Sequence, residues 1–177
     1  MARGGDIEAA KIQVQAFLQL LAVAYLFGVS LRGTRDYRWL GGVIVAAAAV
    51  NQTPLDWAGN LGRILRAIEL AREAKASLLC LPELCITGYG CEDAFFSTDV
   101  TRRALVALEK IAQAAGGMIV SVGRPLRFRN SLLNGTAMLA NGKILGFVAK
   151  RNLAGDGIHY EPRWFKPWPA GVRDVLT

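Results

Sequence analysis

A chain of 177 residues can bury one sizeable core, and its length favours a single domain. The formal net charge of +7 raises the question of nucleic acid. The basic residues are scattered, however, with small groups at Arg102-Arg103 and at Arg124, Arg127 and Arg129 that lack interleaved aromatics or a continuous basic helix face, so a solvated basic surface is expected and no nucleic-acid partner.

The chain has three cysteines, Cys80, Cys85 and Cys91, and one histidine, His159. An odd cysteine count without disulfide-type spacing points to a reducing, cytoplasmic compartment, and a single histidine argues against a Cys/His zinc site, so no metal is expected.

Residues 1–40 differ in character from the rest of the chain and are taken as an N-terminal extension; residues 41–177 form the folded unit. Val14 to Leu31 is strongly apolar and near the lower length limit for a membrane span, although Gln15 and Gln19 weaken that assignment. Asp6 and Glu8 ahead of Lys11 make a poor signal-peptide start. Three readings stay open for the stretch: an amphipathic or buried helix, a membrane-associated helix, or sequence foreign to the natural protein.

From Gly41 the pattern becomes α/β. Val43 to Val50 reads as a buried first strand, broken by Asn51-Gln52-Thr53-Pro54. Asp56 or Asn60 can cap a helix running to about Ala74, with Leu61, Ile64, Leu65, Ile68 and Ala71 on one face. Ser77 to Leu81 forms a second strand. Asp99 or Thr101 is expected to cap a second helix through about Ala115, whose apolar face carries Leu105, Leu108, Ile111 and Ala112 and which Gly116-Gly117 ends. Met118 to Val122 is a third strand. Two apolar runs, Asn130 to Ala140 and Lys143 to Val148, flank Asn141-Gly142, a strong hairpin signal because a type I′ turn needs positive φ at both central residues. Residues 150–169 read as a loop rich in Gly, Pro and aromatics.

Within this frame, Leu81-Pro82-Glu83-Leu84-Cys85-Ile86-Thr87-Gly88-Tyr89 places a carboxylate where a buried strand meets a Gly-containing loop, the position at which open α/β sheets carry chemistry. Lys150 ends the strand Ile144 to Ala149 and can aim its ammonium while its stem packs on the sheet. Asn152 to Phe165 includes Gly155-Asp156-Gly157-Ile158-His159-Tyr160-Glu161-Pro162-Arg163-Trp164-Phe165. These blocks resemble the nitrilase (carbon–nitrogen hydrolase) superfamily, and within it the N-terminal part of the glutaminase domain of glutamine-dependent NAD synthetases. The resemblance spans about residues 43–172.

It implies an α/β fold, an incomplete nitrilase-type α-β-β-α sandwich preceded here by the apolar N-terminal helix. It also implies hydrolysis of the glutamine amide through a thioester, with the ammonia passed to an ATP-dependent half. Glu83 would serve as general base and then general acid, and Lys150 would stabilise the oxyanion. Glu161 would be a supporting carboxylate beside the lysine, and Tyr89 a substrate-pocket residue. His159 reads as structural.

Two departures from the family pattern stand out. The family's nucleophilic cysteine follows the lysine by a few dozen residues, whereas no cysteine follows Cys91 here. Cys91-Glu92-Asp93 resembles the nucleophile's surroundings but lies between Glu83 and Lys150, and small buried cysteines usually serve packing, so no nucleophile is expected among the three. No Ser-Gly-Gly-x-Asp-Ser run is present either, so ATP and magnesium are expected only in the absent synthetase half. A chain truncated in this way is expected to be inactive alone, or to act as a non-catalytic half-domain that binds a synthetase domain or complementary chain. Oligomerisation is implied by the family, and another amidase is the remaining alternative.

Overall fold

The computed structural model describes residues 44–157 and 159–175. The apolar stretch 14–31 and the proposed boundary near residue 40 lie outside them. Among the described residues the elements run β1 (Val45–Ala47), α1 (Trp57–Glu73), β2 (Leu78–Cys80), a 3-10 helix (Glu92–Phe96), α2 (Thr98–Ala114), β3 (Ile119–Phe128), β4 (Ser131–Ala140), β5 (Lys143–Ala149) and α3 (Glu161–Trp164). The strands make one five-stranded sheet in sequence order. β1, β2 and β3 are parallel, whereas β3–β4 and β4–β5 pair antiparallel. The chain therefore passes from crossover units, which need a helix between strands, to a meander joined by tight turns.

α1 starts where the Asp56 carboxylate accepts from the Gly59 N–H at 2.9 Å, and it buries Asn60, Ile64, Ala67, Ile68 and Ala71. The two long helices cover one face of the sheet. Ile64 and Ile68 from α1 and Ala104, Leu108 and Ile111 from α2 pack on Leu79, Val120, Val122, Ala137 and Leu139. Side chains alternate along a strand, so Ser121, Thr136 and Met138 belong to the opposite face. Asn141 (φ 50°) and Gly142 (φ 77°) form the tight turn between β4 and β5 that the Asn-Gly pair indicates.

Several local expectations change. The cap of α2 is Ser97, whose hydroxyl accepts from the Asp99 N–H; Asp99 lies in the first turn and Thr101 donates to the Thr98 carbonyl. Leu105 is exposed, because the face turned inward is Val100, Ala104, Ala107, Leu108, Ile111 and Ala112. β3 extends past the expected end at Val122 to Phe128, because a second hairpin through Arg129 (φ 50°) pairs it along its whole length with β4. Arg124, grouped by sequence with surface arginines, is buried under α2: its guanidinium donates to the Thr101 and Pro125 carbonyls and lies over the Phe147 ring. The expected loop 150–169 contains the short helix α3. No helix among the described residues is long and apolar enough to cross a membrane.

Candidate active site

Glu83 owes its position to a close approach between a loop and a strand. The Leu81 N–H still pairs with Ser121, after which Pro82 and Glu83 turn over β3 at Gly123. Leu84 (φ 49°) closes the turn, with its carbonyl accepting from the Gly88 N–H at 2.8 Å and the Thr87 N–H at 3.1 Å. A Cβ on Gly123 would stand 2.3 Å from the Pro82 carbonyl oxygen, so only glycine lets the loop lie this close. From the other side the buried Asn60 ties the loop down, its amide donating to the Ile86 and Thr53 carbonyls.

Lys150 follows β5, and its N–H donates to the Asn134 carbonyl at 2.8 Å, so the two residues lie side by side across the β4–β5 ladder. By alternation from Ala137 and Phe147 on the helix side, both side chains belong to the face away from α1 and α2. Glu161 opens α3. Asp93 anchors this helix: both its oxygens accept from Arg163 at 2.8 Å, and one also accepts from the Trp164 indole at 3.0 Å. Phe165 packs on Phe95 with ring centroids 4.9 Å apart.

These elements bring three charges together. Lys150 Nζ lies 2.7 Å from Glu83 Oε1 and 3.0 Å and 2.9 Å from the two oxygens of Glu161. Asn134 Nδ2 donates to Glu83 Oε1 at 2.6 Å and to Glu161 Oε1 at 2.9 Å. The Ala154 N–H donates to Glu161 Oε2 at 2.6 Å. Glu161 is fully buried, whereas the Glu83 side chain keeps about a third of its surface open. Both oxygens of Glu161 are thus occupied. Among the described residues, all hydrogen bonds to Glu83 fall on Oε1 and leave Oε2 free.

The two acids are driven apart. Burial raises the Glu83 carboxyl above its ordinary value, and Lys150 and Asn134 only partly oppose it. Burial acts on Glu161 in the same direction, but the Ala154 N–H and Lys150 outweigh it and hold that carboxyl below its ordinary value. Lys150 loses solvation, yet its bonds to both acids keep it charged above the usual lysine range. Tyr89 stands at the rim, its ring edge-on to His159 at 6.3 Å between centroids; burial and the charges of Glu161 and Glu83 keep its phenol protonated. His159 takes no part in the cluster's hydrogen bonds.

The thiols stand apart. Burial pushes Cys85 up to about 12, and its thiol donates to the Gly123 carbonyl. Cys91 is buried and donates to the Thr87 and Gly88 carbonyls, and burial also raises Cys80. A thiol so placed is a poor source of thiolate. Among the described residues no group of His, Cys, Asp and Glu side chains could hold a metal ion. Asn134 was not anticipated from the sequence, although a polar side chain inside the apolar run Leu132 to Ala140 needs a buried partner and is a usable signal. The parts played by Gly123 and Asp93 were not anticipated either.

A mixed sheet flanked by helices on one face, with a carboxylate–lysine–carboxylate cluster on the other, defines an α/β protein of hydrolase type. The chain belongs to the carbon-nitrogen hydrolase family, which matches residues 44–175. It is 40% identical over 128 residues to the glutamine-dependent NAD(+) synthetase of Bos taurus and 37% identical over 138 residues to that of Saccharomyces cerevisiae, matches that cover 71% and 76% of this chain. The chain spans less than a fifth of those relatives, 18% and 19% of their lengths. The crystal structure of a glutamine-dependent NAD(+) synthetase from Cytophaga hutchinsonii superposes with a TM-score of 0.74 at 45% identity, over 76% of this chain and 23% of that one. An amidase from Nesterenkonia sp. shares the fold at a TM-score of 0.61 and 24% identity, over 72% of this chain and 48% of its own.

Proposed function

We propose that this chain supplies the acid–base half of a glutamine amidohydrolase site that delivers ammonia for NAD synthesis. The observation that carries the reading is Lys150 held at 2.7–3.0 Å between two carboxylates, one raised and one lowered, because carboxylates whose environments push their proton affinities apart can take different roles. Glu83, with Oε2 free, takes the proton of a cysteine thiol as its sulfur attacks the side-chain amide carbon of glutamine. The Lys150 ammonium faces the oxygen that becomes negative, and Glu161 keeps that ammonium charged and placed. Glu83 gives its proton to the departing nitrogen, releasing ammonia and leaving a thioester. It then takes a proton from the water that attacks the thioester, so that glutamate leaves and the thiol is restored. Tyr89 lines the pocket for the amide.

The attacking cysteine comes from outside Met1–Thr177, in continuing sequence or on a complementary chain, since the three thiols of this chain are buried and raised. ATP and magnesium act in the synthetase domain that consumes the ammonia. By the same reading the half-domain works as part of an oligomer.

The test is ammonia release from glutamine by the 177-residue chain, alone and with a polypeptide carrying the cysteine elbow of a related synthetase. The expected result is none alone and turnover with the partner, abolished by Glu83→Gln or Lys150→Met. Turnover by the chain alone would overturn the assignment of the nucleophile. Turnover on simple aliphatic amides with none on glutamine would favour a general amidase.

A further inference from the structure

We infer that Asn134 is a positioning residue of this site, the neutral clamp that fixes the spacing of Glu83, Lys150 and Glu161 and leaves one Glu83 oxygen free; the inference deepens the reading above and rests on it for its link to catalysis. The backbone carbonyl of Asn134 accepts from the Lys150 N–H, which sets the lysine at the end of β5. Its side-chain nitrogen spans the two acids, at 2.6 Å from Glu83 and 2.9 Å from Glu161. One residue on β4 therefore holds three elements together: the loop after β2, the end of β5 and the start of α3.

The chemistry selects the orientation of the amide. The reverse orientation would set Oδ1, which can only accept, against two carboxylate oxygens. Asn134 is buried to 3% exposure inside an apolar strand, so its amide nitrogen needs acceptors in the fold, and the two acids supply them.

Lys150 has two tasks that pull against each other. It favours the charged form of both carboxylates, and it must be free to follow the oxyanion. When the ammonium leans toward substrate, Glu83 loses its strongest partner. A second donor on the same Oε1 then holds the carboxylate in place, and being an amide it can neither give up nor accept the proton that Glu83 moves at Oε2. A lysine or arginine at 134 would hold Glu83 too, but its charge would lower the proton affinity a general base needs. The groups facing Glu83 are Lys150 from the end of β5, Glu161 from α3, Asn134 from β4 and the Tyr89 phenol from its own loop.

The experiment is carboxyl-carbon NMR titration of Glu83 in the intact chain, for the wild type, Asn134→Leu and Asn134→Asp. Loss of the donor is expected to raise the Glu83 midpoint by about one pH unit, a tenfold gain in proton affinity, in Asn134→Leu, and further in Asn134→Asp, where a third carboxylate adds its repulsion. An unchanged midpoint in a folded variant overturns the inference, because a merely structural asparagine would alter stability and leave Glu83 where it is. The side-chain amide of Asn134 in the wild type gives a readout independent of folding in the variants. Its two N–H resonances should follow the titration of both acids, and flat resonances overturn the proposal. In the complemented enzyme kcat should fall about tenfold with KM nearly unchanged. If the midpoints move as expected and glutamine is never hydrolysed, the clamp stands and the glutaminase reading falls; if the midpoints stay fixed, the clamp falls whatever the activity.

Discussion

The contact between Gly123 and the Glu83 loop allows a single methyl group to test how the Glu83 carboxylate is placed. In Gly123→Ala the new carbon would stand 2.3 Å from the Pro82 oxygen, 2.4 Å from the Leu84 nitrogen and 2.8 Å from the Glu83 carbonyl carbon. All three are backbone atoms, so no rotamer change relieves the clash. Restoring ordinary contact requires the loop to retreat from β3 by about 1 Å, a strain that typically costs about 1–3 kcal/mol in a packed interior. The retreat stretches the Ile86 N–H bond to the Gly123 carbonyl, already 3.3 Å, and carries Glu83 away from Lys150 and Asn134, its partners at 2.7 and 2.6 Å. A hydrogen bond lengthened to about 3.6 Å is effectively lost. Urea unfolding followed by tryptophan fluorescence should show the midpoint falling by on the order of 1 M. The Glu83 carboxyl, deprived of both donors, should titrate higher still. In an enzyme complemented with its cysteine, a misplacement of about 1 Å should cost roughly 100-fold in turnover. An alanine variant with the wild-type unfolding midpoint and an unmoved Glu83 titration would refute the close approach, and with it the account of how the loop is fixed.

Three further outcomes rest on the charges and thiols. Because Glu83 is raised, its contribution to stability is full below the ordinary glutamate pKa of 4.5 and is lost as pH rises through the raised value; Glu161 is lowered, so its contribution is present above 4.5 and lost as pH falls through the lowered value. Glu83→Gln should therefore flatten the decline of stability above pH 4.5, and Glu161→Gln the decline below it, as read by thermal unfolding across pH; identical profiles for the two variants would contradict the split. Arg163 and the Trp164 indole hold Asp93 down to about 2, so α3 should keep its anchor until pH falls toward that value, and Asp93→Asn should release Glu161 at every pH, seen as a lowered Lys150 titration. Iodoacetamide should leave Cys85 and Cys91 unmodified in the folded chain and react with them after denaturation, with only half-exposed Cys80 labelled slowly in the native state; rapid native labelling of Cys91 would reopen its case as a nucleophile.

The sequence carried the order of the parallel half of the sheet, because its signals are local, although β1 spans only Val45–Ala47 and is partly exposed where Val43 to Val50 reads as a buried strand. Apolar runs gave β1, β2 and the start of β3, and the Asn141-Gly142 turn gave the last hairpin. What it hid depends on contacts distant in sequence. The expected third strand stops at Val122, because the stretch from Arg124 to Arg127 is made a strand by register with Leu132 to Gly135 and not by propensity. The sequence points to Asp99 or Thr101 as the cap of α2, whereas Ser97 takes it: Ser97 and Asp99 are both good caps, and the chain's exit from the 3-10 helix decides between them. Glu83, Lys150 and Glu161 were recognisable from the motif blocks around them. Asn134 and Gly123 were not, since their roles exist only across the sheet, 51 and about 40 residues from the acid they serve.

The asymmetry of the two acids comes from what each supporting element can deliver. Glu161 arrives on a helix pinned by Asp93, is closed off from solvent and meets the Ala154 N–H, so its charge has three donors and no exit. Glu83 arrives on a loop over Gly123 at the rim, where two donors crowd one oxygen and the other stays open. A base must be able to give up its bound state, and a buried, fully bonded carboxylate cannot do so cheaply. On the proposed reading, the surroundings therefore divide the roles before any substrate arrives. Glu161 is suited to keeping Lys150 charged and in place, and Glu83 is the carboxylate with both the proton affinity and the access that proton transfer requires.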